Sequence, residues 1–140
     1  MHTVKALEPA DCRRLLGTSG AGRVVFTQDA LPAVLPTLYV VSGDRLWFPV
    51  TERGPLHQHV DGAVLAYHVD RVDRGERSGW SVTVVGACHT VDPAHAPVRA
   101  HGLARGPAGR LLAVEMDHLT GRELGRAGTT APAPAPGWPA

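Results

Sequence analysis

Short apolar runs separated by polar turns recur along most of the chain. The runs Arg23–Thr27 and Ala33–Val41 are joined by a short polar turn, and a third run, Arg45–Val50, follows soon afterwards. Apolar runs of this length, bounded by turn-forming residues, are typical of β-hairpins. The pattern therefore predicts three consecutive antiparallel strands near the N-terminus.

Three further strands are predicted at Ala63–Asp70, Trp80–Val91 and Arg110–His118. In the second of these, Trp80, Val82, Val84 and Gly86 alternate with Ser81, Thr83 and Val85, which is the period of a strand with one buried face. Six strands of this kind predict a mainly β fold. We expect a six-stranded antiparallel barrel of the Greek-key type, with short helices at its openings.

Helical segments are predicted at three places beside the strands. The first begins near Pro9, a residue favoured in the first turn of a helix, and places Cys12 and Leu16 on one face. The other two lie within residues 53–61 and 93–104. These helices are short, so the strands carry most of the predicted core.

The composition indicates one domain and a tail. A chain of 140 residues is long enough for one well-buried core. We assign residues 1–124 to this domain and residues 125–140, which are rich in proline and alanine, to a disordered tail. With 14 Lys and Arg against 13 Asp and Glu, the formal charge of +1 gives no field that would recruit nucleic acid or an anionic membrane.

The two cysteines, Cys12 and Cys88, stand far apart and outside any CxxC pattern. Such thiols are typical of a reduced, cytoplasmic protein. The N-terminus lacks an apolar core of signal-peptide length, and the longest apolar stretch is interrupted by prolines. We therefore expect a cytoplasmic protein that does not enter a membrane.

Eight histidines raise the question of a metal or heme site. His57 and His59 are two residues apart, and no histidine belongs to an HExxH or Cys/His ligand pattern. The sequence predicts no protein-built metal site. Heme held through one axial histidine stays open as an alternative.

Several strand segments resemble the flavin-binding split barrels of the pyridoxamine 5'-phosphate oxidase-like superfamily. The resemblance rests on residues 22–41, 62–70, 78–87 and 119–122, and extends from about Leu7 to Leu124. It implies a split barrel that pairs with a second copy, a homodimer with FMN in the grooves between the two chains. Deazaflavin is the nearest alternative cofactor.

The same resemblance implies a place for the flavin phosphate after the third strand. The matching residues are Val50, Thr51, Arg53 and Gly54. Arg53 offers a bidentate guanidinium, Thr51 a hydroxyl and Gly54 a close backbone approach. The lysine common in the family is replaced by Pro55, and Glu52 adds a negative charge.

For the flavin ring, the resemblance implies contact with the second strand at Pro36, Thr37 and Leu38, where Leu38 replaces a polar residue. Trp80 and Ser81 match an element that lies near the cofactor groove at the dimer interface. A tryptophan that opens a strand is also an ordinary packing residue, and Tyr39 is equally compatible with the barrel core.

Two functions follow from these residues. The first is a flavin-dependent oxidoreductase that acts on a small conjugated molecule, in which the cofactor carries the chemistry and no catalytic residue is assigned. The second is a non-catalytic split barrel that has lost the phosphate-binding lysine and binds heme, deazaflavin or another small molecule. The sequence has no Ser-His-Asp motif and no reactive-cysteine motif that would indicate covalent catalysis.

Overall fold

Nine antiparallel strands and one α-helix form the part of the chain that a computed structural model describes, residues 2–51, 56, 61–104 and 109–126. The strands are β1 His2–Ala6, β2 Ala21–Gln28, β3 Leu31–Leu38, β4 Val40–Ser42, β5 Arg45–Thr51, β6 Val64–Asp73, β7 Ser78–Val91, β8 Gly109–Glu115 and β9 His118–Arg126. The helix, α1, spans Pro9–Leu16.

The strands follow the order β3-β2-β6-β7-β8-β5-β4, and β9 joins β7 on one side and β1 on the other. The long strand β7 makes this possible: residues 79–85 pair with β9, and residues 88–91 pair with β8. Strand β3 also contacts β5 without forming a ladder with it. Because hydrogen bonding does not close the sheet, the fold is a split barrel, as predicted.

The predicted number of six strands was wrong. The run Ala33–Val41 forms two strands, because the chain leaves β3 at Tyr39, whose N–H donates to the Gly20 carbonyl at 2.9 Å. The run Arg110–His118 covers β8 from its second residue onward and the first residue of β9. Strand β1, short and half polar, was not predicted because its only partner, β9, lies at the other end of the described chain.

The helix begins at Pro9, as predicted, and buries Cys12 and Leu16 completely. A methyl group on Gly121 would lie 2.6 Å from the Cys12 sulfur, so the missing side chain lets α1 pack closely on β9. Residues 93–104 form two separate 3-10 turns, Pro93–His95 and Val98–Ala100, instead of one helix, because Pro97 has no N–H to continue the first turn.

Two sequence predictions fall largely outside the described residues. The helix expected at residues 53–61 lies there except for Leu56 and Asp61. Strand β9 ends at Arg126, two residues inside the predicted tail, because Gly125 and Arg126 pair with β1. Residues 127–140 are outside the described part of the chain.

The barrel interior is filled by one large apolar cluster around Tyr67, Phe48 and Val84, which are all fully buried. The Tyr67 hydroxyl lies 2.7 Å from the Thr37 hydroxyl and donates to the Thr37 carbonyl at 3.0 Å. These contacts fix β3 to the barrel wall. A second, smaller cluster around Trp47 and Leu111 lies on the other face of β5 and β8.

Candidate functional site

The outer face of the sheet carries the polar side chains that are best placed to bind a ligand or take part in a reaction. Paired residues of antiparallel strands point to the same face. The register therefore places five side chains in one row across β3, β2, β6, β7 and β9: Pro36, Arg23, His68, Thr83 and Thr120. A neighbouring row contains Asp70, Ser81 and Arg122.

The predicted ring-binding segment of β3 divides between the two faces of the sheet. Pro36 and Leu38 are exposed on the outer face, and the Leu38 side chain is 60% exposed. Thr37 points inward, and its hydroxyl is bonded to Tyr67. The segment therefore offers an apolar surface and backbone groups, while the Thr37 hydroxyl serves the core.

Tyr39 is a core residue. Its ring is buried and lies edge-on to Tyr67 with 5.3 Å between centroids. Its hydroxyl donates to the Leu16 carbonyl at 2.6 Å. This satisfies the only polar group of the side chain and ties α1 to the barrel.

Trp80 and Ser81 point to opposite faces of β7, as neighbours in a strand must. Trp80 packs against the edge of the main cluster and lines a cavity of about 260 Å³ with Leu7 and Leu15 near α1. Ser81 is on the outer face and only 9% exposed. Both residues also line a cavity of about 130 Å³ between β7 and β9, although their side chains leave β7 on opposite faces.

The predicted phosphate-binding segment is described only at its start. Val50 points toward the barrel interior and packs against the main cluster. The backbone of Thr51 ends β5, but its side chain lies outside the described residues, as do Arg53 and Gly54. Since β3 contacts β5, the end of β5 and the ring-binding segment lie on neighbouring strands.

A hydrogen-bonded chain of polar groups that was not predicted from the sequence crosses the outer face. His68 Nδ1 lies 3.0 Å from the Thr83 hydroxyl, and His68 Nε2 lies 3.1 Å from Asp70 Oδ2. Arg23 approaches the same carboxylate at 3.9 Å. The alternation within each strand indicates which of these residues face outward, but only the register brings the four together.

A groove between β7 and β9 lies beside this chain. Ser81, Thr83, Thr120, Gly121 and Arg122 surround a cavity of about 130 Å³. A second cavity of about 130 Å³ adjoins it and shares Ser81 and Arg122.

Burial makes two weakly acidic side chains, the Tyr67 phenol and the Cys88 thiol, unsuited to proton transfer at neutral pH. Burial raises the pKa of the Tyr67 phenol to about 12, although its hydrogen bond to Thr37 opposes the change. Burial, followed by the negative charge of Asp61, raises the pKa of the Cys88 thiol to about 12. Both groups stay protonated near pH 7, so they serve packing.

Among the described residues, no group of three or more His, Cys, Asp or Glu side chains is arranged to hold a metal ion. The same part of the chain contains no helix long and apolar enough to cross a membrane.

The split barrel and its polar outer face define a class of small β proteins, and sequence comparison gives the family. The sequence profile described as pyridoxamine 5'-phosphate oxidase matches residues 8–123. The chain therefore belongs to the pyridoxamine 5'-phosphate oxidase family. It is also 38% identical over 100 residues to the uncharacterized protein Rv0080 of Mycobacterium tuberculosis. That match covers 64% of this chain and 63% of the relative, a little under two thirds of its length.

Solved structures show the same architecture. An FAD-binding protein from Mycobacterium smegmatis is 25% identical, with a TM-score of 0.69 over 86% of this chain and 98% of that one. An FAD-binding protein from Mesorhizobium loti is 20% identical, with a TM-score of 0.76 over 90% of this chain and all of that one (100%). The second likeness shows the fold alone.

Proposed function

We propose that this chain is a flavin-binding split barrel, and that it holds the part of the cofactor that FMN and FAD share: the ring, the ribityl chain and the first phosphate. The observation that carries the proposal is the likeness to the Mycobacterium smegmatis FAD-binding protein, which covers 98% of that chain at 25% identity. The family assignment supports it independently.

The described residues offer an apolar wall for a flavin ring. Pro36 and Leu38 stand exposed on the outer face of β3, next to the strand that leads into the phosphate-binding segment. The resemblance supplies the remaining contacts: Val50, Thr51, Arg53 and Gly54 for the phosphate, and Trp80 and Ser81 at the groove. In this proposal the flavin supplies the redox chemistry, and the protein binds and orients it.

The proposed functional unit is a homodimer. On the β3 and β6 part of the outer face, the large apolar side chains of Val34, Leu38 and Val64 are 55–69% exposed. Between them and β7, Val25 and Ala66 continue the apolar surface. Contiguous apolar surface of this kind marks an interaction site, and a second copy presents a matching apolar face.

The edge of β3 favours association through this face over addition of another strand. Pro32 and Pro36 have no N–H and lie four residues apart in β3. Proline in a sheet is confined to an edge strand because it cannot donate to a ladder. A continuous ladder with an added strand is therefore blocked, so the apolar face is the proposed interface.

The proposed activity is oxidation or reduction of a small conjugated molecule, in the cytoplasm. Both cysteines are free thiols, which suits a reducing compartment. No described residue is assigned a catalytic role, since Tyr67 and Cys88 are buried and protonated.

A titration of Arg53→Ala tests the flavin site. Loss of a charge-assisted bidentate contact weakens binding by roughly 1.5–3 kcal/mol, so the affinity for FMN and FAD should fall about ten- to a hundredfold. Riboflavin has no phosphate and should bind both proteins equally. Arg74→Ala, at an exposed arginine in the turn after β6, is the matched control and should leave all three affinities unchanged.

Equal loss for FMN and riboflavin would show that Arg53→Ala damages the fold and not a phosphate contact. Failure of the unaltered protein to bind any flavin would contradict the proposal. Deazaflavin and heme are titrated in parallel, and preference for either would favour the second candidate function.

That second candidate is a split barrel that binds a small molecule without catalysis. The specific observation in its favour is the replacement of the family's lysine by Pro55 beside Glu52, which leaves Arg53 as the cation of the turn. Exposed Leu38, in place of a polar residue, removes a side-chain contact that would tune the ring. Reduction of a bound flavin by NADPH or NADH, followed spectroscopically, separates the oxidoreductase from the binding module.

A further inference from the structure

Both ring nitrogens of His68 have a hydrogen-bond partner on the outer face of the sheet. Nε2 lies 3.1 Å from Asp70 Oδ2, and Nδ1 lies 3.0 Å from the Thr83 hydroxyl. An ionised carboxylate can only accept a hydrogen bond, so Nε2 carries a hydrogen and donates it to Asp70. Asp70 therefore fixes the tautomer of the neutral imidazole and leaves the lone pair on Nδ1.

The charge on His68 sets the direction of its hydrogen bond to Thr83. In the neutral ring, Nδ1 accepts, so the Thr83 hydroxyl donates to it and presents only lone pairs to any other group. In the protonated ring, Nδ1–H donates to the Thr83 oxygen, and the hydroxyl hydrogen can be donated to a third group. A proton that enters at His68 can therefore leave at the Thr83 hydroxyl.

Thr83 and His68 each line a cavity in the groove between β7 and β9. Thr83 lines a cavity of about 130 Å³ together with Ser81 and Thr120. His68 lines the adjoining cavity of about 130 Å³, whose wall also includes Trp80 and Ser81. The proposed function places Trp80 and Ser81 beside the flavin. A small molecule held in this groove would therefore lie next to the cofactor.

His68 can exchange protons with water. Its side chain is 31% exposed and that of Asp70 is 37% exposed, and imidazole is the side chain that ordinarily changes charge between about pH 5 and 8. Among the described residues, the charged or titratable side chains around the row are Arg23 on β2, Asp70 on β6, and His118, Arg122 and Glu123 on β9.

Two of these neighbours are engaged with other groups of the protein. Glu123 forms an ion pair with Lys5 at 3.4 Å, and Arg122 already has an interaction within the chain. Arg23 approaches Asp70, at 3.9 Å. Asp70 contacts the imidazole directly, so the hydrogen bonds around His68 run from Asp70 to Thr83.

We propose that His68 supplies the proton for flavin-dependent reduction of a small conjugated carbonyl compound, and that the proton reaches this compound through the Thr83 hydroxyl. The inference rests on the proposed function. It adds a proton donor and a substrate class to an activity for which no catalytic residue was assigned.

Reduction of a conjugated carbonyl compound takes up one hydride, from a reduced flavin, and one proton. The hydride forms a C–H bond at the β-carbon, and the π electrons of the C=C bond shift toward the carbonyl group. The carbonyl oxygen takes the hydroxyl proton of Thr83, which gives an enol that becomes the saturated ketone in water. The Thr83 oxygen takes the Nδ1 hydrogen of His68, and water then reprotonates His68. The flavin is left oxidised by two electrons.

The first measurement follows binding without turnover. 2-Cyclohexen-1-one is titrated into the oxidised, FAD-loaded protein by calorimetry, in two buffers of different ionisation heat. Because Thr83 donates to the carbonyl group only when His68 is protonated, binding should take up a proton near pH 8, and the affinity should fall by up to about tenfold per pH unit. A purely structural role of His68 would not make the binding heat depend on the buffer.

Four variants assign the proton to this row. His68→Gln keeps hydrogen-bonding groups but cannot transfer a proton, and Thr83→Val removes the hydroxyl, so both should abolish proton uptake. Thr83→Ser keeps the hydroxyl and should retain the uptake. His89→Gln is the matched control, because His89 is 39% exposed and lies 3.4 Å from Glu115 on the part of β7 that pairs with β8.

The second measurement follows the reaction. The FAD-loaded protein is reduced anaerobically and mixed with 2-cyclohexen-1-one, and flavin reoxidation is followed by absorbance. Loss of a general acid should slow the reaction about a hundredfold or more in His68→Gln and in Thr83→Val. The rate of the unaltered protein should fall as the pH rises above about 7, whereas the residual rate of His68→Gln should not depend on pH.

The FAD content of each protein separates this inference from the proposed function. Unaltered protein that retains FAD but neither binds nor reduces 2-cyclohexen-1-one would overturn the inference alone. Equal proton uptake and rates in Thr83→Val and Thr83→Ser would also overturn it, and this pair carries the test if His68→Gln does not fold. Unaltered protein that retains no flavin would contradict the proposed function and this inference together.

Discussion

Replacing Gly22 by alanine tests how closely β2 must approach β6. A methyl group on Gly22 would lie 2.6 Å from Tyr67 Cε1, 2.7 Å from the His68 carbonyl oxygen and 2.9 Å from Val69 Cγ2. The carbonyl belongs to the backbone of β6, which pairs with β2 from Arg23 onward, so it cannot move without disturbing the ladder. The Tyr67 ring would also have to shift, away from both of its hydrogen bonds to Thr37.

These contacts set the expected cost of Gly22→Ala. Over-packing a core costs about 1–3 kcal/mol, and loss of the buried phenol contacts adds about 1–3 kcal/mol. Restricting the unfolded chain by a Gly→Ala change returns about 0.4–1 kcal/mol. The free energy of unfolding should therefore fall by about 1–6 kcal/mol, measured by urea denaturation.

Gly20→Ala is the control for this prediction. No heavy atom lies within 4 Å of a methyl group at Gly20, and its φ is not positive. The change should leave the free energy of unfolding unaltered or raise it by up to about 1 kcal/mol. Values for the two variants that agree within about 0.5 kcal/mol would refute the close packing of β2 on β6.

Three other predictions concern association, the thiols and alkaline stability. Leu38→Asp should shift the protein from dimer to monomer in sedimentation velocity, whereas Val98→Asp should not; a monomeric unaltered protein would refute the interface. Cys12 and Cys88 are fully buried, and burial raises both thiol pKa values, so neither should react with iodoacetamide near pH 8 until denaturant is added; rapid alkylation of the native protein would refute this. The Tyr67 pKa rises from 10.0 to about 12 on folding. The protonated phenol therefore contributes fully to the free energy of unfolding below pH 10, and this contribution disappears as the pH rises to about 12. Between pH 10 and about 12, the Tyr67→Phe variant should therefore lose less stability than the unaltered protein. Equal losses would refute the raised pKa of Tyr67.

The architecture could be predicted from the sequence because its signals are local. Alternation in Trp80–Val91 and the proline that opens α1 act within a few residues, and both elements are present. The missed elements depend on distant partners. Among the described strands, β1 pairs only with β9, more than a hundred residues away, and its five residues carry no strong pattern of their own.

The candidate site was less accessible to sequence reasoning. The resemblance directed attention to Trp80 and Ser81 as a pair, but they point to opposite faces. The row that contains His68 and Thr83 depends on the pairing of β6 with β7, which no single strand specifies. Register, and therefore the neighbours of a surface side chain, is a property of the assembled sheet.

Equilibrium dialysis of the flavin-free protein against FAD tests the central claim most directly. We expect saturation at one FAD per chain on a dimeric protein, with FMN competing for the same site because the two cofactors share the ring and first phosphate. A chain that retains no FAD or FMN at saturating concentration would contradict the flavin-binding function, even if the split barrel and its dimer were intact.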